Sequence, residues 1–468
     1  MSSNDHSISD AAFGSTMTEM DLDPGGKEVR ARPFLFLVLE AQRPLAGGAR
    51  VCLEDVSEVL IGRSERTTGP RQIARSGGDG KRSLTLRTAD QFLSKEHGAF
   101  RKSGDGWQVE DLGSRNGVYV NGTQIQGPTR LSPGDLVSLG RVFFIFEFDE
   151  TEDVVDLDAD DISAHPTGFL TLLPSLSTKQ QRLRQEATRN TSITLVGETG
   201  TGKEVLARAI HGASGRTGSY VAVNCGAIPK DLIQSELFGH VKGAFSGANE
   251  ARMGYVRDAH QGTLLLDEIV AAPAQVQVAL LRAIQERAVT PVGSSKPHPV
   301  DVKFIAAAQQ PLGDAVEEGG FRADLQARLE AMVFELPPLR ERLEDLGIFV
   351  ASTLKKIGVQ ETDKPRLSWQ AATRLLRYEW PRNIRELAQA IDVAWGGAKN
   401  GEIGEGDLPK PKTEDGSPRS RLKQQLVGHL RAAKGNVAEV ARKMGRTRPL
   451  VYHYLKKFDI DPESFRAG

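Results

Sequence analysis

The chain has 468 residues, a net charge of −1, and 39% apolar and 26% charged residues. This composition is typical of a globular cytoplasmic protein of roughly three domains, and it confines any contact with nucleic acid to a local basic patch. The two cysteines exclude a disulfide framework, and no apolar run approaches the roughly 20 residues that span a bilayer. The sequence MSSNDHSISDAAFG lacks the basic and apolar regions of a signal peptide.

The first half of the chain predicts a tail, a β domain and a linker. Residues 1–32 are rich in Ser, Asp, Gly and Thr, and we expect a disordered tail. Residues 33–148 contain short apolar runs separated by turn signals, which predicts an all-β sandwich. A Gly-rich, basic stretch between Arg63 and Ser94 has the character of an insertion, either a flexible loop near a binding site or a passive surface loop. Residues 149–167 begin with the acidic run DETEDVVDLDADD, which predicts a solvated linker.

The second half predicts an α/β domain and a basic helical end. From residue 168, strand-like runs such as SITLVG and TLLLDE alternate with longer helical stretches, and this alternation indicates a parallel sheet. Residues 410–420 form a polar linker. Residues 421–468 are basic and helical in pattern.

A phosphate-binding loop lies between the strand-like run SITLV and the helical run EVLARAI. This strand–loop–helix context is the one that a P-loop requires, since backbone N–H groups and a lysine bind the phosphates of ATP. The loop residues are Gly197, Glu198, Thr199, Gly200, Thr201, Gly202, Lys203 and Glu204. Glu204 stands where the general motif has the hydroxyl that ligates Mg²⁺.

A second signal is the strand GTLLLDE, which ends in two carboxylates about 65 residues after the P-loop. Asp267 is placed to hold Mg²⁺, directly or through water. Glu268 is placed to polarise the attacking water. We therefore predict ATP and Mg²⁺ as cofactors.

With these motifs, residues 168–410 resemble the central AAA+ domain of sigma-54-dependent activators, the bacterial enhancer-binding proteins. That family carries Glu after the P-loop lysine. The resemblance implies an α/β P-loop subdomain at 168–340, a helical lid at 341–409, and a hexameric ring that is a dimer when inactive. It gives Asn224 a relay role between nucleotide and Glu268. It also places Gln309 at the sensor I position and Arg385 at the sensor II position.

Two further segments carry the resemblance. FRADLQARL resembles the stretch that holds the arginine fingers, which assigns Arg322 and Arg328 to the site of a neighbouring subunit. SELFGHVKGAFSGA resembles the family signature whose loop contacts sigma-54. The loop residues are Gly243, Ala244, Phe245, Ser246, Gly247 and Ala248.

Three positions depart from the family pattern. Ser246 replaces Thr, which predicts a working but weaker sigma-54 contact. Gln309 replaces the usual Asn or His, after Ala308 in place of Thr, so sensing of the γ-phosphate is in question. Arg382 replaces the Gly of WPGN near the nucleotide.

Residues 33–148 resemble a forkhead-associated (FHA) domain. The motifs are Gly62-Arg63, SKEH at 94–97 and SRNG at 114–117. The resemblance implies that phosphothreonine binds through a set of five side chains, Arg63, Ser94, Lys95, Arg115 and Asn116. His97 is expected to pack the loop. The alternative is an FHA fold that binds its own chain or an unphosphorylated partner.

The C-terminal residues 421–468 predict an all-α helix-turn-helix, with two short helices around Gly445. The segment is similar to the Fis-type domains that end many sigma-54 activators. Its candidate DNA contacts are Arg446, Thr447, Arg448, Leu450, His453, Tyr454, Lys456 and Lys457. Val451, Leu455 and Phe458 are expected to form the core stripe, and Tyr452 is expected to pack.

The domain order predicts a signalling protein with two-component-like logic. A phosphothreonine-containing protein or a Ser/Thr kinase is the expected input, and the expected partners are upstream enhancer DNA and sigma-54 RNA polymerase, with no membrane. Two alternatives stay open. One is a DNA-binding phosphopeptide adaptor with weak or absent ATP turnover, which Gln309 favours. The other is a regulator independent of sigma-54, which Ser246 allows.

Overall fold

The computed structural model describes residues 31–65, 69–78, 81–104, 106–151, 155–160, 168–410, 418–458 and 460–466. The predicted tail, apart from residues 31 and 32, lies outside the described residues, as does most of the 410–420 linker. Among the described helices, none has the length and apolar character that crossing a bilayer requires.

The N-terminal domain is the predicted sandwich of two β-sheets. The first sheet has the order β13-β2-β1-β12-β11-β8-β9 and the second the order β10-β7-β6-β3-β5-β4. Most neighbouring strands are antiparallel, and β3 pairs with β5 in parallel. The strands are β1 Ala31–Glu40, β2 Ala49–Cys52, β3 Glu58–Arg63, β4 Gln72–Gly78, β5 Lys81–Thr88, β6 Gly98–Ser103, β7 Gly106–Asp111, β8 Val118–Val120, β9 Thr123–Gln124, β10 Thr129–Arg130, β11 Asp135–Leu139, β12 Val142–Glu150 and β13 Leu157–Asp158.

The insertion between Arg63 and Ser94 is neither a flexible nor a passive loop over its described residues. It forms the antiparallel pair β4 and β5, which extends the second sheet. Arg71, directly before β4, is buried and ion-paired at 2.7 Å with Glu40 and at 2.8 Å with Asp158. The inserted hairpin therefore adds buried charge pairing to the sandwich.

The acidic segment departs from the prediction of a solvated linker at residues 155–160. There, β13 pairs with β2, and Arg75 of β4 binds Asp156 at 2.6 Å. Arg43 binds Asp160 at 2.7 Å. The basic residues of the insertion and the acidic residues of the segment neutralise each other, because the chain folds the segment back onto the sandwich.

The P-loop subdomain is the predicted α/β unit. Its sheet has the order β15-β16-β19-β14-β20, and every neighbouring pair is parallel. The elements are α1 Pro174–Ala187, β14 Ile193–Val196, α2 Lys203–Ala213, β15 Tyr220–Asn224, α3 Ile233–Phe238, α4 Tyr255–Asp258, β16 Thr263–Asp267, α5 Ala274–Glu286, β17 Ala288–Val289, β18 His298–Pro299, β19 Lys303–Ala308, α6 Leu312–Glu317, α7 Ala323–Leu329 and β20 Met332–Glu335.

The rest of the described chain is mainly helical. The lid consists of α8 Leu346–Lys356, β21 Arg366–Leu367, α9 Trp369–Arg377, α10 Asn383–Gly396 and β22 Glu402–Ile403. Three C-terminal helices follow, α11 Pro418–Ala432, α12 Val437–Met444 and α13 Arg448–Phe458. Gly445 ends α12 at φ 60°, in the left-handed conformation that suits glycine. The two short helices predicted around Gly445 are therefore present.

The sandwich packs directly on the P-loop subdomain and the lid. Seven consecutive residues of β1, Phe34 to Glu40, are buried, because one face of the strand fills the sandwich and the other packs on the neighbouring domains. At Gly347 in α8, a Cβ atom would lie 2.0 Å from the carbonyl oxygen of Val38. Only glycine permits this close approach. The three units thus share one continuous apolar core.

Candidate functional site

The P-loop connects β14 to α2 and needs its glycines. Gly200 has φ 80° and Gly202 has φ 103°, both in the left-handed region. A Cβ atom at Gly200 would lie 2.2 Å from the carbonyl oxygen of Arg382. Lys203 Nζ donates to the carbonyl oxygens of Gly197 at 2.6 Å and Glu198 at 3.1 Å. The ammonium group is therefore inside the loop, where it can bind phosphate oxygens.

The other predicted loop residues lie around this core. Thr201 is buried, and its hydroxyl donates to the carbonyl oxygen of Glu198 at 2.8 Å. Glu204 is exposed in the first turn of α2, with Arg208 at 3.5 Å. Burial is the main cause that lowers the pKa of Lys203, and Asp267 and Glu268 oppose it. The loop can therefore cradle a polyphosphate beside its acidic neighbours.

Glu198 is held by residues that the sequence analysis did not assign. Arg340 donates to its two carboxylate oxygens at 2.8 and 2.5 Å, and Asn383 Nδ2 donates at 3.0 Å. The Arg340 hydrogen bond is the main cause that lowers the pKa of Glu198. The sequence indicated these residues only through the segments PPLRER and WPRN, which contain Arg340 and Asn383. An arginine and an amide are groups that can bind a carboxylate. These contacts fix the P-loop to the lid.

Asn383 joins three backbone segments at the start of α10. It is fully buried with φ 55°, and its Oδ1 accepts from Leu339 N at 2.8 Å. Its Nδ2 also donates to the carbonyl oxygen of Thr199 at 3.1 Å. Arg385 follows on the same helix, and its backbone N–H donates to Gly200 O at 3.3 Å. The sensor II position therefore borders the P-loop.

Arg382 is compatible with the lid despite replacing glycine. Its φ is −107°, a conformation that any residue adopts, and its side chain is exposed. Its backbone N–H donates to Glu386 at 2.9 Å. Arg382 itself therefore adds no backbone strain at the position where WPGN has glycine.

The acidic pair lies at the carboxyl end of β16. Asp267 is the parallel register partner of Asn224 on β15, and its carbonyl oxygen accepts from Cys225 N at 2.8 Å. Glu268 has φ 52°, a left-handed conformation that is uncommon for residues other than glycine. The chain therefore bends at Glu268, directly after Asp267, at the end of the strand.

Asn224 and Glu268 border the same small space. A Cβ atom built on Gly226 would lie 2.4 Å from Glu268 Oε2 and 3.3 Å from Asn224 Oδ1. Asn224 Oδ1 already accepts from the backbone N–H groups of Gly226 and Ala227, at 2.8 and 3.0 Å. Because its oxygen is used in this way, the amide offers its NH₂ group as a donor. The structure therefore brings the predicted relay residue next to the predicted catalytic carboxylate.

Gln309 follows the end of β19 at the edge of the P-loop. The preceding residue, Ala308, accepts from Gly197 N at 3.1 Å. Gln309 is exposed and lines two cavities of about 420 and 430 Å³, one shared with Glu198 and the other with Glu268. Its amide is thus positioned between the P-loop and the acidic pair.

The predicted arginine fingers lie directly before α7 and in its last turn, away from the contacts of the P-loop. Among the described residues, Arg322 makes its side-chain hydrogen bonds to Asp324, at 3.0 and 2.7 Å, and it is exposed. Arg328 is exposed near the end of the same helix. Both are available to a neighbouring molecule.

The GAFSGA segment forms a tight projecting turn. Gly243 N donates to Ala248 O at 2.8 Å, and Ala248 N donates to Phe245 O at 3.0 Å. Phe245 is 39% exposed, and its ring packs against His240 with the centroids 5.0 Å apart. Ser246 and Gly247 are exposed at the tip. The turn thus presents an aromatic ring and a hydroxyl to solvent.

The predicted phosphopeptide residues converge on one face of the sandwich. Arg115 N donates to Ser94 Oγ at 3.1 Å, and Arg63 N donates to Ser94 O at 2.9 Å. Asn116 Nδ2 donates to the carbonyl oxygen of Phe92 at 2.7 Å. The side chains of Arg63, Arg115 and Asn116 are exposed and available to a ligand.

Two further residues support this face. His97 is fully buried, accepts from Ser94 N at 3.1 Å and contacts Gly117 O at 3.0 Å, so it holds the two loops together as expected. Sequence reasoning missed Arg87, which donates to the carbonyl oxygens of Lys95 at 3.0 Å and Arg63 at 3.3 Å. Lys95 is itself exposed.

The C-terminal helices divide the predicted DNA contacts into exposed and buried residues. Arg448 and Lys456 are exposed, whereas Leu450 and Tyr454 are fully buried and belong to the core with Val451. Leu450 and Tyr454 are therefore not accessible to DNA in this arrangement. Lys457 is half-buried, and the side chain of His453 lies outside the described residues.

Tyr452 also differs from its prediction, because it is 51% exposed and does not pack. Leu455 and Phe458 are buried, as expected for the core stripe. Arg446 and Thr447, at the start of α13, contact the sandwich. The exposed candidates on this helix are thus Arg448, Tyr452 and Lys456.

Comparisons with known proteins agree with this arrangement of domains. Residues 171–335 match the sigma-54 interaction domain, residues 59–140 the FHA domain, and residues 340–425 the AAA+ ATPase lid domain. The acetoin dehydrogenase operon transcriptional activator AcoR of Bacillus subtilis is 41% identical over 304 residues, which cover 60% of this chain and 49% of that protein. The transcriptional regulatory protein GlrR of Escherichia coli is 35% identical over 310 residues, which cover 64% of this chain and 69% of that protein.

Solved structures include NtrX from Brucella abortus in complex with ATP. It is 27% identical, with 64% of this chain and 71% of that chain covered and a TM-score of 0.47. The chain spans about half to two thirds of the length of the curated relatives described above.

Proposed function

Because this chain belongs to the family of transcriptional regulators that carry a sigma-54 interaction domain, we propose that it couples ATP hydrolysis to promoter opening by sigma-54 RNA polymerase. The observation that carries the proposal is the proximity of Asn224 and Glu268, beside a P-loop whose lysine donates to carbonyl oxygens inside the loop. A carboxylate that polarises water and a cationic loop that binds phosphates are the two parts that phosphoryl transfer to water requires.

The residues fit ATP and Mg²⁺. The P-loop closes around Lys203, and replacing Gly200 by any larger residue would obstruct the loop. Lys203 would bind the phosphates, and Asp267 would hold Mg²⁺ directly or through water. Bound ATP supplies the γ-phosphoryl group. Glu268 would polarise water, and the NH₂ group of Asn224, which borders the same space, would orient that carboxylate.

Arg322 and Arg328 complete the site of a neighbouring subunit in this proposal. Their exposure on α7 supports it, since an arginine finger must reach across an interface. The assembly is a ring, and the GAFSGA turn extends Phe245 towards sigma-54. The exposed aromatic ring gives that contact apolar area, and Ser246 adds a hydroxyl.

The sandwich supplies regulation in this proposal. Its loops present the Arg63 guanidinium, the Ser94 hydroxyl and the Asn116 amide on one face, which suits a phosphothreonine dianion and its peptide backbone. Arg448, Tyr452 and Lys456 on α13 contact enhancer DNA and tether the ring near the promoter.

Subunit mixing tests the shared ATPase site. ATP hydrolysis is measured against protein concentration for the wild type, Glu268→Gln, Arg322→Ala and the control Arg282→Ala, which removes an exposed arginine from α5. The wild type and control should show turnover that rises cooperatively, and the other two variants should show none. Mixing the two inactive variants should restore part of the turnover. A mixture without turnover contradicts shared sites.

A second candidate function is a DNA-binding phosphopeptide adaptor in which nucleotide only controls assembly. Gln309 favours it, because the amide beside the P-loop and Glu268 extends from a longer side chain than the usual Asn. This candidate predicts ATP binding without turnover in the wild type. Turnover restored by Gln309→Asn would then identify the responsible residue.

A further inference from the structure

The start of α13 is bound by the last residue of β12. Glu150 accepts from the backbone N–H of Thr447 at 2.8 and 2.9 Å, and the Thr447 hydroxyl also donates to it. The N-terminus of a helix carries N–H groups without helical partners and a partial positive charge. The carboxylate of Glu150 therefore occupies the place where this helix end would bind an anion.

Two further contacts join the same strand to the C-terminal helices. Arg446 pairs with Asp149 at 3.3 Å, and Tyr454 donates its hydroxyl hydrogen to Glu147 at 3.1 Å. The Arg446 side chain is 21% exposed and that of Asp149 only 1%. Solvent screens such contacts less than it screens surface pairs. Phe148 packs on the apolar core of the helices between these polar contacts.

We propose that the acidic end of β12, defined as Glu147, Asp149 and Glu150, is a docking surface for the start of α13 and competes with DNA for it. A DNA phosphate is recognised by arginine, hydroxyl groups and helix N-terminal N–H groups. Arg446 and Thr447 supply all three kinds of donor to the strand. The same donors cannot serve carboxylates and phosphates together, so docking on the sandwich excludes DNA contact at this helix end.

The inference rests on the proposed DNA-binding function of the C-terminal helices. It also links that function to the nucleotide site, because Glu147 and Arg446 line the cavity of about 420 Å³ that Glu198 and Gln309 border. Strand β12 belongs to the same sandwich as the phosphopeptide loops. A movement of the sandwich away from the helices would therefore free the start of α13.

The test compares two pairs of substitutions in the full chain, each of which replaces two carboxyl side chains by amides. Glu147→Gln with Glu150→Gln removes charge from the docking surface and keeps the size of both side chains. Glu286→Gln with Glu317→Gln makes the same change at exposed positions at the ends of α5 and α6 in the P-loop subdomain. Fluorescence anisotropy measures binding to a random-sequence DNA duplex over a series of salt concentrations.

The docking-surface pair should bind DNA about tenfold more tightly than the wild type, and the control pair should match the wild type. Equal tightening in both pairs overturns the proposal, because it shows an effect of net charge alone. Unchanged binding in the docking-surface pair overturns it as well.

Hydrogen exchange of the Thr447 amide separates this inference from the function on which it rests. The docking-surface pair should exchange that amide faster than the wild type. Faster exchange without DNA binding by any of the proteins contradicts the proposed DNA-binding function and retains the docking contact. Unchanged exchange contradicts the docking contact itself.

Discussion

The guanidinium of Arg340 donates to both carboxylate oxygens of Glu198, at 2.5 and 2.8 Å, and so joins the start of the lid to the P-loop. Such a two-point contact fixes orientation as well as distance, because guanidinium and carboxylate are both planar. Neither Glu198 nor Arg340 is deeply buried, with 41% and 37% of their side chains exposed. We therefore expect the contact to position the loop more than to stabilise the fold.

Replacement of Arg340 should weaken ATP binding. Arg340→Lys keeps the charge but loses the fork, so KM for ATP should rise about three- to tenfold in both Arg340→Lys and Arg340→Ala. Arg374→Lys is the matched control, since that arginine binds Glu405 in the lid, away from the P-loop. Steady-state ATP hydrolysis measures KM and kcat for each variant. A change in kcat alone would exclude a positioning role in nucleotide binding.

A pair of glycine substitutions tests the close approach of lid and P-loop. Gly200→Ala places a Cβ atom 2.2 Å from Arg382 O at φ 80°, so ATP binding should be lost and the melting temperature lowered. Gly212→Ala, in α2, meets nothing within 4 Å and should stabilise the helix by about 0.5–1 kcal/mol. Nucleotide titration measures the ATP affinity of the two variants, and thermal unfolding measures their melting temperatures. Retained ATP binding in Gly200→Ala would contradict the observed packing.

Phosphopeptide binding should depend on one residue that the sequence did not indicate. Arg63→Ala should abolish binding of a phosphothreonine peptide, and Arg87→Ala should weaken it about tenfold by releasing the carbonyl oxygens of Lys95 and Arg63. Arg82→Ala, an exposed arginine on the same strand as Arg87, serves as the control. Calorimetry on the full chain measures the affinity. Equal binding of phosphorylated and unphosphorylated peptides would favour the alternative FHA role.

The free energy of unfolding should fall as pH rises, because the carboxyl group of Glu344 is buried. Burial, with smaller contributions from Glu147 and Asp345, raises the pKa of Glu344 to about 8, and Arg446 opposes these effects. The folded protein therefore holds a proton that the unfolded chain releases near its ordinary pKa. The contribution of this proton to the free energy of unfolding is complete below about pH 4.5, and it is lost as the pH rises towards 8.

Thermal unfolding from pH 5 to 8 measures this dependence. Glu344→Gln should flatten the fall in melting temperature and raise it at pH 8, whereas the exposed control Glu317→Gln should leave the profile unchanged. An unchanged slope in Glu344→Gln would show that Glu344 does not carry the effect.

Some of this fold could be predicted from local patterns. The uninterrupted run FLFLVLE lacks the alternation of a half-exposed strand, and β1 is indeed covered on both faces. The P-loop was predictable because its glycines and lysine act within a few residues of each other. The structure of the insertion was not predictable. The position of β4 depends on ion pairs of Arg71 and Arg75 with Asp158 and Asp156, which lie far along the chain.

The spacing of apolar residues in α13 already indicates which of its two tyrosines is buried. Tyr454 follows Val451 by three residues and precedes Phe458 by four, so it lies on the same helical face as the predicted core stripe. Tyr452 lies off that face and is exposed. The contacts of Arg446 and Thr447 with the sandwich were not predictable, since they depend on how separate domains pack together.

The most direct test of the proposed function is promoter opening by purified sigma-54 RNA polymerase with ATP and this protein. Permanganate reactivity of promoter thymines measures the open complex on a supercoiled template. Phe245→Ala is compared with Val393→Ala, which truncates an exposed apolar side chain of α10 in the lid. We predict ATP-dependent opening by the wild type and Val393→Ala, and none by Phe245→Ala, which should retain ATP hydrolysis. Opening by Phe245→Ala equal to the wild type, or no ATP-dependent opening by any of the proteins, would contradict it.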